Sequence, residues 1–122
     1  MIHETKEVLQ AFIEAFNRAD ANAFTSLYAK DANNHQVAEL PVEGREAIRR
    51  MFVESFAAAT MVCIAGNLFE DGEWAIMEGR DPLGLRGCGF FHVVDGKIVF
   101  QRGYWDKLSF LRVQGLPLPK DL

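Results

Sequence analysis

The chain has 122 residues, of which 49% are hydrophobic and 25% are charged, and its formal net charge is −4 at pH 7. This length and balance are typical of one globular domain, so we predict a single domain over residues 1–122. The acidic balance and the lack of a lysine- or arginine-rich stripe argue against nucleic acid and an anionic membrane surface as partners.

The cysteines and the N-terminus indicate a compartment. Cys63 and Cys88 are too few for a disulfide framework, so we expect two reduced thiols. The first seven residues are too polar and too acidic for a signal peptide, and no apolar run approaches the roughly 20 residues of a membrane span. These features predict a cytoplasmic protein.

The N-terminal half carries apolar residues at three- and four-residue spacing, which predicts helices. We expect the first helix over about residues 3–18. A short second helix follows Asp20, whose side chain is a good N-cap. A third helix begins at Arg45 and fades near Ala57, and residues 31–44 before it form a strand and a loop.

From Thr60 onward the apolar period changes to two, which predicts strands. Asp71-Gly72 and Asp95-Gly96 are typical of tight hairpin turns, because both central residues adopt a positive φ. The turns divide an antiparallel meander of four strands, at residues 61–70, 73–81, 87–94 and 97–106. We expect bends or bulges at Gly87, Gly89 and Gly103, and a short helical turn over residues 109–116.

Two segments resemble a known family. Residues 89–98, G-F-F-H-V-V-D-G-K-I, and residues 101–106, Q-R-G-Y-W-D, resemble the F-x-V-x-D-G-K-I … R-x-Y-[FW]-D ending of the SnoaL-like branch of the nuclear transport factor 2-like superfamily. Residues 41–48, P-V-E-G-R-E-A-I, resemble the start of the third helix in that branch. The branch includes polyketide cyclases, ketosteroid isomerase-like proteins and limonene epoxide hydrolase-like enzymes.

Helices followed by strands favour an α+β fold. The resemblance implies a cone-shaped, curved antiparallel sheet with three N-terminal helices packed on its concave side. It also implies a pocket for a small apolar molecule, and often a homodimer. The fold does not determine a reaction. Two hypotheses therefore stay open: a cofactor-free acid–base enzyme of the hydrolase, isomerase or cyclase type, and a non-catalytic ligand-binding or dimeric interaction domain.

Three residues are candidates for catalysis. Asp106 matches the final aspartate of the family ending, and the resemblance implies a base or water activator there; the alternative is a helix cap. Glu78 and Arg80 lie two apart on one strand and therefore share a face with Trp74. They are expected to form either a buried acid–arginine pair in the pocket or a structural ion pair at its mouth.

Polar residues and one phenol are candidates for binding the ligand. Asn34 and Gln36 fall where the epoxide hydrolase-like relatives position a water molecule. His35 and His92 carry imidazole, the side chain that most often acts as a general acid or base, so each is either a base or a bystander. Tyr104 shares the strand parity of Asp106 and offers a hydroxyl donor.

Aromatic residues are expected to line the apolar site, the alternative being a core or a dimer interface. Besides Trp74, they are Phe52, Phe56, Phe69, Phe90, Phe91, Phe100 and Trp105. The three histidines, at positions 3, 35 and 92, show no metal-ligand spacing, so the sequence predicts no bound metal.

Overall fold

A computed structural model describes residues 4–120. The described residues form four helices and six strands: α1 (Glu4–Asn17), α2 (Ala21–Thr25), β1 (Tyr28–Gln36), β2 (Val42–Glu43), α3 (Arg45–Ala58), β3 (Ile64–Asp71), β4 (Trp74–Arg80), β5 (Arg86–Val94), β6 (Lys97–Trp105) and α4 (Lys107–Val113). The predicted α+β class is confirmed. His3, the predicted start of α1, lies outside the described residues. No helix among the described residues is long and apolar enough to cross a bilayer.

The strands form one sheet in the order β2-β1-β6-β5-β4-β3. Strands β3 to β6 are the expected antiparallel meander. At both predicted Asp-Gly turns the glycine has a positive φ, 61° at Gly72 and 74° at Gly96. β1, however, runs parallel to β6, so the sheet is mixed rather than wholly antiparallel. The long chain between these two strands permits the parallel pairing, which a tight turn would not.

The first and third helices pack on the sheet, and α2 packs between these two helices. Their aromatic residues meet at Phe24, which is fully buried. Its ring centroid lies 4.7 Å from that of Phe12 on α1 and 4.3 Å from that of Phe52 on α3. Edge and tilted contacts at these distances are favourable for aromatic rings, so one phenylalanine on α2 joins the two longer helices.

Strand alternation distinguishes the two faces of the sheet. On β4, Ala75 and Met77 are buried against the helices, and Ala75 pairs with the buried Phe91 of β5. We call this side the inner face. Trp74 and Glu78 alternate with these residues and are exposed on the opposite side, the outer face.

The expected bulges at the strand glycines are wrong. Gly89 pairs directly with Gly103, and Gly87 pairs directly with Trp105, without a shift in register. The irregularity between β5 and β6 lies instead beside His92. The glycines instead influence the shape of the inner face.

Candidate functional site

A cavity of about 200 Å³ lies between α1 and the inner face of the sheet. Phe12 and Phe16 contribute one wall from α1, and Met77 and Phe91 contribute another from the sheet. Cys63 lines it as well, and burial raises the pKa of its thiol. The walls are therefore apolar and uncharged.

Glycines form the floor of this cavity. Four glycines of β4, β5 and β6 line it, in two pairs that are direct strand neighbours: Gly79 with Gly87, and Gly89 with Gly103. A Cβ added to Gly87 would lie 2.9 Å from the carbonyl oxygen of Tyr104, which is too close for any residue but glycine. At the other three positions, too, neighbouring atoms lie within 3.3 Å of an added Cβ, so the glycines allow these atoms to pack close to the sheet.

A chain of hydrogen bonds runs along one side of the cavity, and we call it the amide relay. Trp105 Nε1 donates to Gln36 Oε1 at 2.9 Å, and Gln36 Nε2 donates to Asn34 Oδ1 at 2.8 Å. Asn34 Nδ2 then donates to Gln101 Oε1 at 3.1 Å and to the hydroxyl of Tyr28 at 3.3 Å. The Tyr28 hydroxyl completes the relay by donating to Gln101 Oε1.

The relay has one direction, because the indole nitrogen of Trp105 can only donate. Gln36 must turn its oxygen toward Trp105, which turns its NH₂ group toward Asn34. Asn34 in turn presents its own NH₂ group to Gln101. Gln101 therefore directs its Oε1 toward Asn34 and Tyr28, which leaves its Nε2 without a partner in the relay.

Gly103 makes room for the relay. The side chain of Gln36 lies across this position, and an added Cβ would overlap Gln36 Oε1 and lie 2.8 Å from Gln36 Cδ. The same glycine thus contributes to the floor of the cavity and allows Gln36 to reach Trp105.

Tyr28 stays a neutral phenol in this setting. Its ring is fully buried, and burial raises its pKa above the ordinary value, with the hydrogen bond from Asn34 acting weakly in the other direction. A neutral phenol both donates and accepts, as its place between Asn34 and Gln101 requires.

Charged residues border the cavity only at the end formed by the β4–β5 turn. Arg80 and Arg86 are exposed there. Within the described residues, Asp81 is the one carboxylate of the lining. Its Oδ1 accepts the backbone N–H groups of Leu83 at 3.0 Å and Leu85 at 2.8 Å, so this carboxylate holds the turn.

Asp106 lies outside the cavity, at the N-terminus of α4. Its carboxylate accepts the backbone N–H of Ser109 at 3.0 Å and also the Ser109 hydroxyl. These hydrogen bonds from Ser109, with a smaller contribution from the charge of Arg112, lower the pKa of the exposed carboxyl. This is the helix-cap geometry that the sequence left open as the alternative.

Glu78 and Arg80 are both exposed, and the buried acid–arginine pair expected for them does not form. Glu78 lies on the outer face, where Asn67 Nδ2 donates to its Oε1 at 2.8 Å. The shared strand face of these residues was predicted correctly. That face, however, points away from the helices, so the structure does not bring Glu78 to Asp106 or to the relay.

The predicted binding residues divide between the two faces. Gln36 lines the cavity, and Asn34 is buried in the relay behind it. The others lie on the outer face or at the pairing positions that continue it: His35, Trp74, Phe90, His92 and Tyr104.

On the outer face, Trp74 stacks on His92 with the ring centroids 4.5 Å apart. His92 Nε2 lies 3.1 Å from Glu73 Oε1.

Sequence reasoning named Trp105 as a residue of the apolar site but missed Tyr28 and Gln101. A usable signal was present, since Gln101, Gly103 and Trp105 alternate along β6 and so share a face. Within the described part of the chain, no three His, Cys, Asp or Glu side chains lie close enough together to hold a metal ion.

Comparisons with known proteins agree on the fold. The family model described as a SnoaL-like domain matches residues 9–101. A ketosteroid isomerase-like-fold protein from Catenulispora acidiphila, solved with trimethylamine, superposes with a TM-score of 0.81 at 20% identity, covering 91% of this chain and 94% of that one. An LEH-like epoxide hydrolase from Mycobacterium tuberculosis superposes with a TM-score of 0.79 at 19% identity, covering 92% and 90%. A search of curated proteins finds no significant match.

The Asp106 cap predicts a pH effect at α4. Because the folded-state pKa of this carboxyl is lowered, its stabilisation is fully present above the ordinary value near about 4 and is lost as the pH falls through the lowered value. An NMR titration of the Ser109 amide resonance measures this. A Ser109 amide that titrates at or above pH 4 would contradict the assignment.

Gly103→Ala is expected to break the relay. The new methyl group displaces Gln36, so Trp105 loses its acceptor, and the free energy of unfolding falls by about 1–3 kcal/mol. The Trp105 indole proton resonance and urea denaturation report these effects. Gly66→Ala is the matched control, since its added Cβ would meet only an ordinary contact at 3.5 Å. Equal effects of the two substitutions would refute the proposed role of Gly103.

Proposed function

Because the chain belongs to the SnoaL-like domain family, we propose that it binds a small apolar molecule in the cavity between α1 and the sheet, and that it acts as a ligand-binding domain without acid–base catalysis. The observation that carries the proposal is the apolar cavity itself, which has glycines on its floor and the amide relay along one side. The trimethylamine bound to the Catenulispora protein is an example of a small ligand on this fold.

The size of the cavity limits the ligand. Pockets for drug-sized molecules measure roughly 300–1,000 Å³, whereas this cavity measures about 200 Å³. Its lining is apolar along α1 and the sheet, the relay beside it is uncharged, and its charged groups lie only at the end formed by the β4–β5 turn. Such a site favours a compact, mostly hydrocarbon molecule with few polar atoms.

The positions of the acidic residues favour binding over proton transfer. A general base must reach the proton that it abstracts, within about 2.6–3.2 Å or through one water. Asp106 caps α4 in solvent, and its lowered pKa makes it a weak base. Glu78 is exposed on the outer face. Neither carboxylate is available to a molecule in the cavity.

Toluene is a suitable apolar probe, and the two tryptophans make the test internally controlled. We expect toluene to shift the indole resonance of Trp105, which lines the cavity, and to leave that of Trp74 on the outer face unchanged. Asp106→Asn should retain the same affinity, because asparagine also caps a helix. The proposal fails if toluene shifts Trp74 alone, or if Asp106→Asn abolishes binding.

We also propose that a second copy of the chain covers the outer face, as the family resemblance implies. Phe69, Trp74 and Tyr104 are 60%, 41% and 40% exposed there. Arg102 lies 5.4 Å from the Phe100 ring centroid, and its Nε is buried without a hydrogen-bond partner among the described residues. Exposed apolar patches of this kind mark interfaces.

Charge also favours a second copy as the partner. Glu78 is exposed on the same face as Arg102. In a two-fold interface, each residue of one copy meets its complement on the other, so the acid of one copy can approach the arginine of its partner.

Sedimentation equilibrium tests the dimer directly. We expect the wild-type chain to sediment at twice its 13.7 kDa mass. Phe69→Asp should sediment as a monomer, because it places a carboxylate in an apolar contact. Leu40→Asp is the control and should remain dimeric, because Leu40 is exposed in the loop before β2, at the opposite edge of the sheet from Phe69 on β3. A monomeric wild-type chain would exclude this proposal.

A further inference from the structure

We infer that the cavity selects uncharged molecules that carry a carbonyl oxygen, and that Gln101 Nε2 is the donor that binds this oxygen. The inference rests on the proposed function, that the cavity holds a small molecule. It adds that the carbonyl end of that molecule is recognised, and that Gln101 Nε2 is the atom that binds it.

Gln101 is buried and lines the cavity, with 6% of its surface exposed. Its Oε1 already accepts hydrogen bonds from Asn34 and Tyr28. Its Nε2 makes no hydrogen bond within residues 4–120. Among the described residues the buried side-chain nitrogen without a partner is Arg102 Nε and not Gln101 Nε2. Gln101 Nε2 is therefore open to the cavity, where a ligand oxygen replaces water as its acceptor.

The orientation of Gln101 is determined by the relay. If the Gln101 amide flipped alone, its NH₂ group would face the NH₂ group of Asn34, and two donors would oppose each other. Asn34 cannot flip to relieve this, because its Oδ1 is bound by Gln36. Gln36 is held in turn by the Trp105 indole, which has no acceptor form. Trp105 is thus a positioning residue: it orients Gln101 Nε2 through Gln36 and Asn34, without contacting that atom.

The surroundings of Gln101 favour a neutral ligand. Its direct strand neighbours are Phe91 on β5 and Asn34 on β1, and neither is charged. The guanidinium groups in the lining belong to Arg80 and Arg86, which are exposed. A charged group placed beside Gln101 would lose its hydration and find no partner of opposite charge there.

Four small rings of similar shape separate the possible preferences: cyclopentanone accepts a hydrogen bond, pyrrole donates one, cyclopentane does neither, and cyclopentanecarboxylate is charged. We expect cyclopentanone to bind at least about fivefold more tightly than the other three, which corresponds to one neutral hydrogen bond. NMR titration gives the four affinities. The Gln101 side-chain amide resonances should shift most with the ketone.

Two substitutions test the atoms involved. Gln101→Leu removes the donor, so cyclopentanone should lose its advantage while cyclopentane still binds. Trp105→Phe removes the group that orients the relay, so the amides can reverse and present an oxygen to the cavity. Pyrrole should then gain affinity relative to cyclopentanone. A purely structural role for either residue would instead lower all the affinities in parallel.

The binding results distinguish a failure of this inference from a failure of the proposed function. Equal affinities of the wild-type protein for cyclopentanone and cyclopentane would overturn the role of Gln101 and leave the proposed function intact. Preference for cyclopentanecarboxylate would overturn the neutral-ligand inference. Failure of all four probes to bind would overturn the proposed function and this inference together. If Gln101→Leu does not fold, as judged by its amide spectrum, the pyrrole-to-cyclopentanone ratio of Trp105→Phe decides the question.

Discussion

The hydrogen bond from the Trp105 indole to Gln36 is the constraint on which the site depends. An indole N–H can only donate a hydrogen bond, whereas a side-chain amide can flip and exchange its donor and acceptor. One donor-only group at the end of the relay therefore orients Gln36, Asn34 and Gln101 together. The buried phenol of Tyr28 joins the far end as a neutral donor and acceptor. The result is a polar side of the cavity that carries no charge.

The glycines connect this relay to the floor of the cavity. The Gly89–Gly103 pair lies at the centre of the sheet. The cost of glycine in a strand is lost conformational entropy and lost packing. Here the packing is supplied by neighbouring side chains, because the Phe91 ring lies over Gly89, and Gly103 lets Gln36 cross β6. The same residue thus has a role in binding and in the hydrogen bonds that orient the binding group.

Most of the fold could be predicted from local patterns, but the site could not. Apolar periodicity and the Asp-Gly turns identify the helices and the meander, because these signals arise between near neighbours in sequence. Strand parity groups Trp74 with Glu78 correctly, yet it does not say which face meets the helices. The parallel neighbour of β6 and the contact between Gln36 and Trp105 join residues far apart in the chain. Asp106 was singled out by resemblance, and the short helical turn predicted after it was the local signal for a helix cap.

The measurement that tests the central claim most directly is a crystal structure of the protein with cyclopentanone. The account predicts the carbonyl oxygen within hydrogen-bonding distance of Gln101 Nε2, the ring above the Gly89–Gly103 floor, and the Trp105 indole still bound to Gln36. A ketone seated in the cavity with its oxygen turned away from Gln101, or bound beside Asp106, would contradict it.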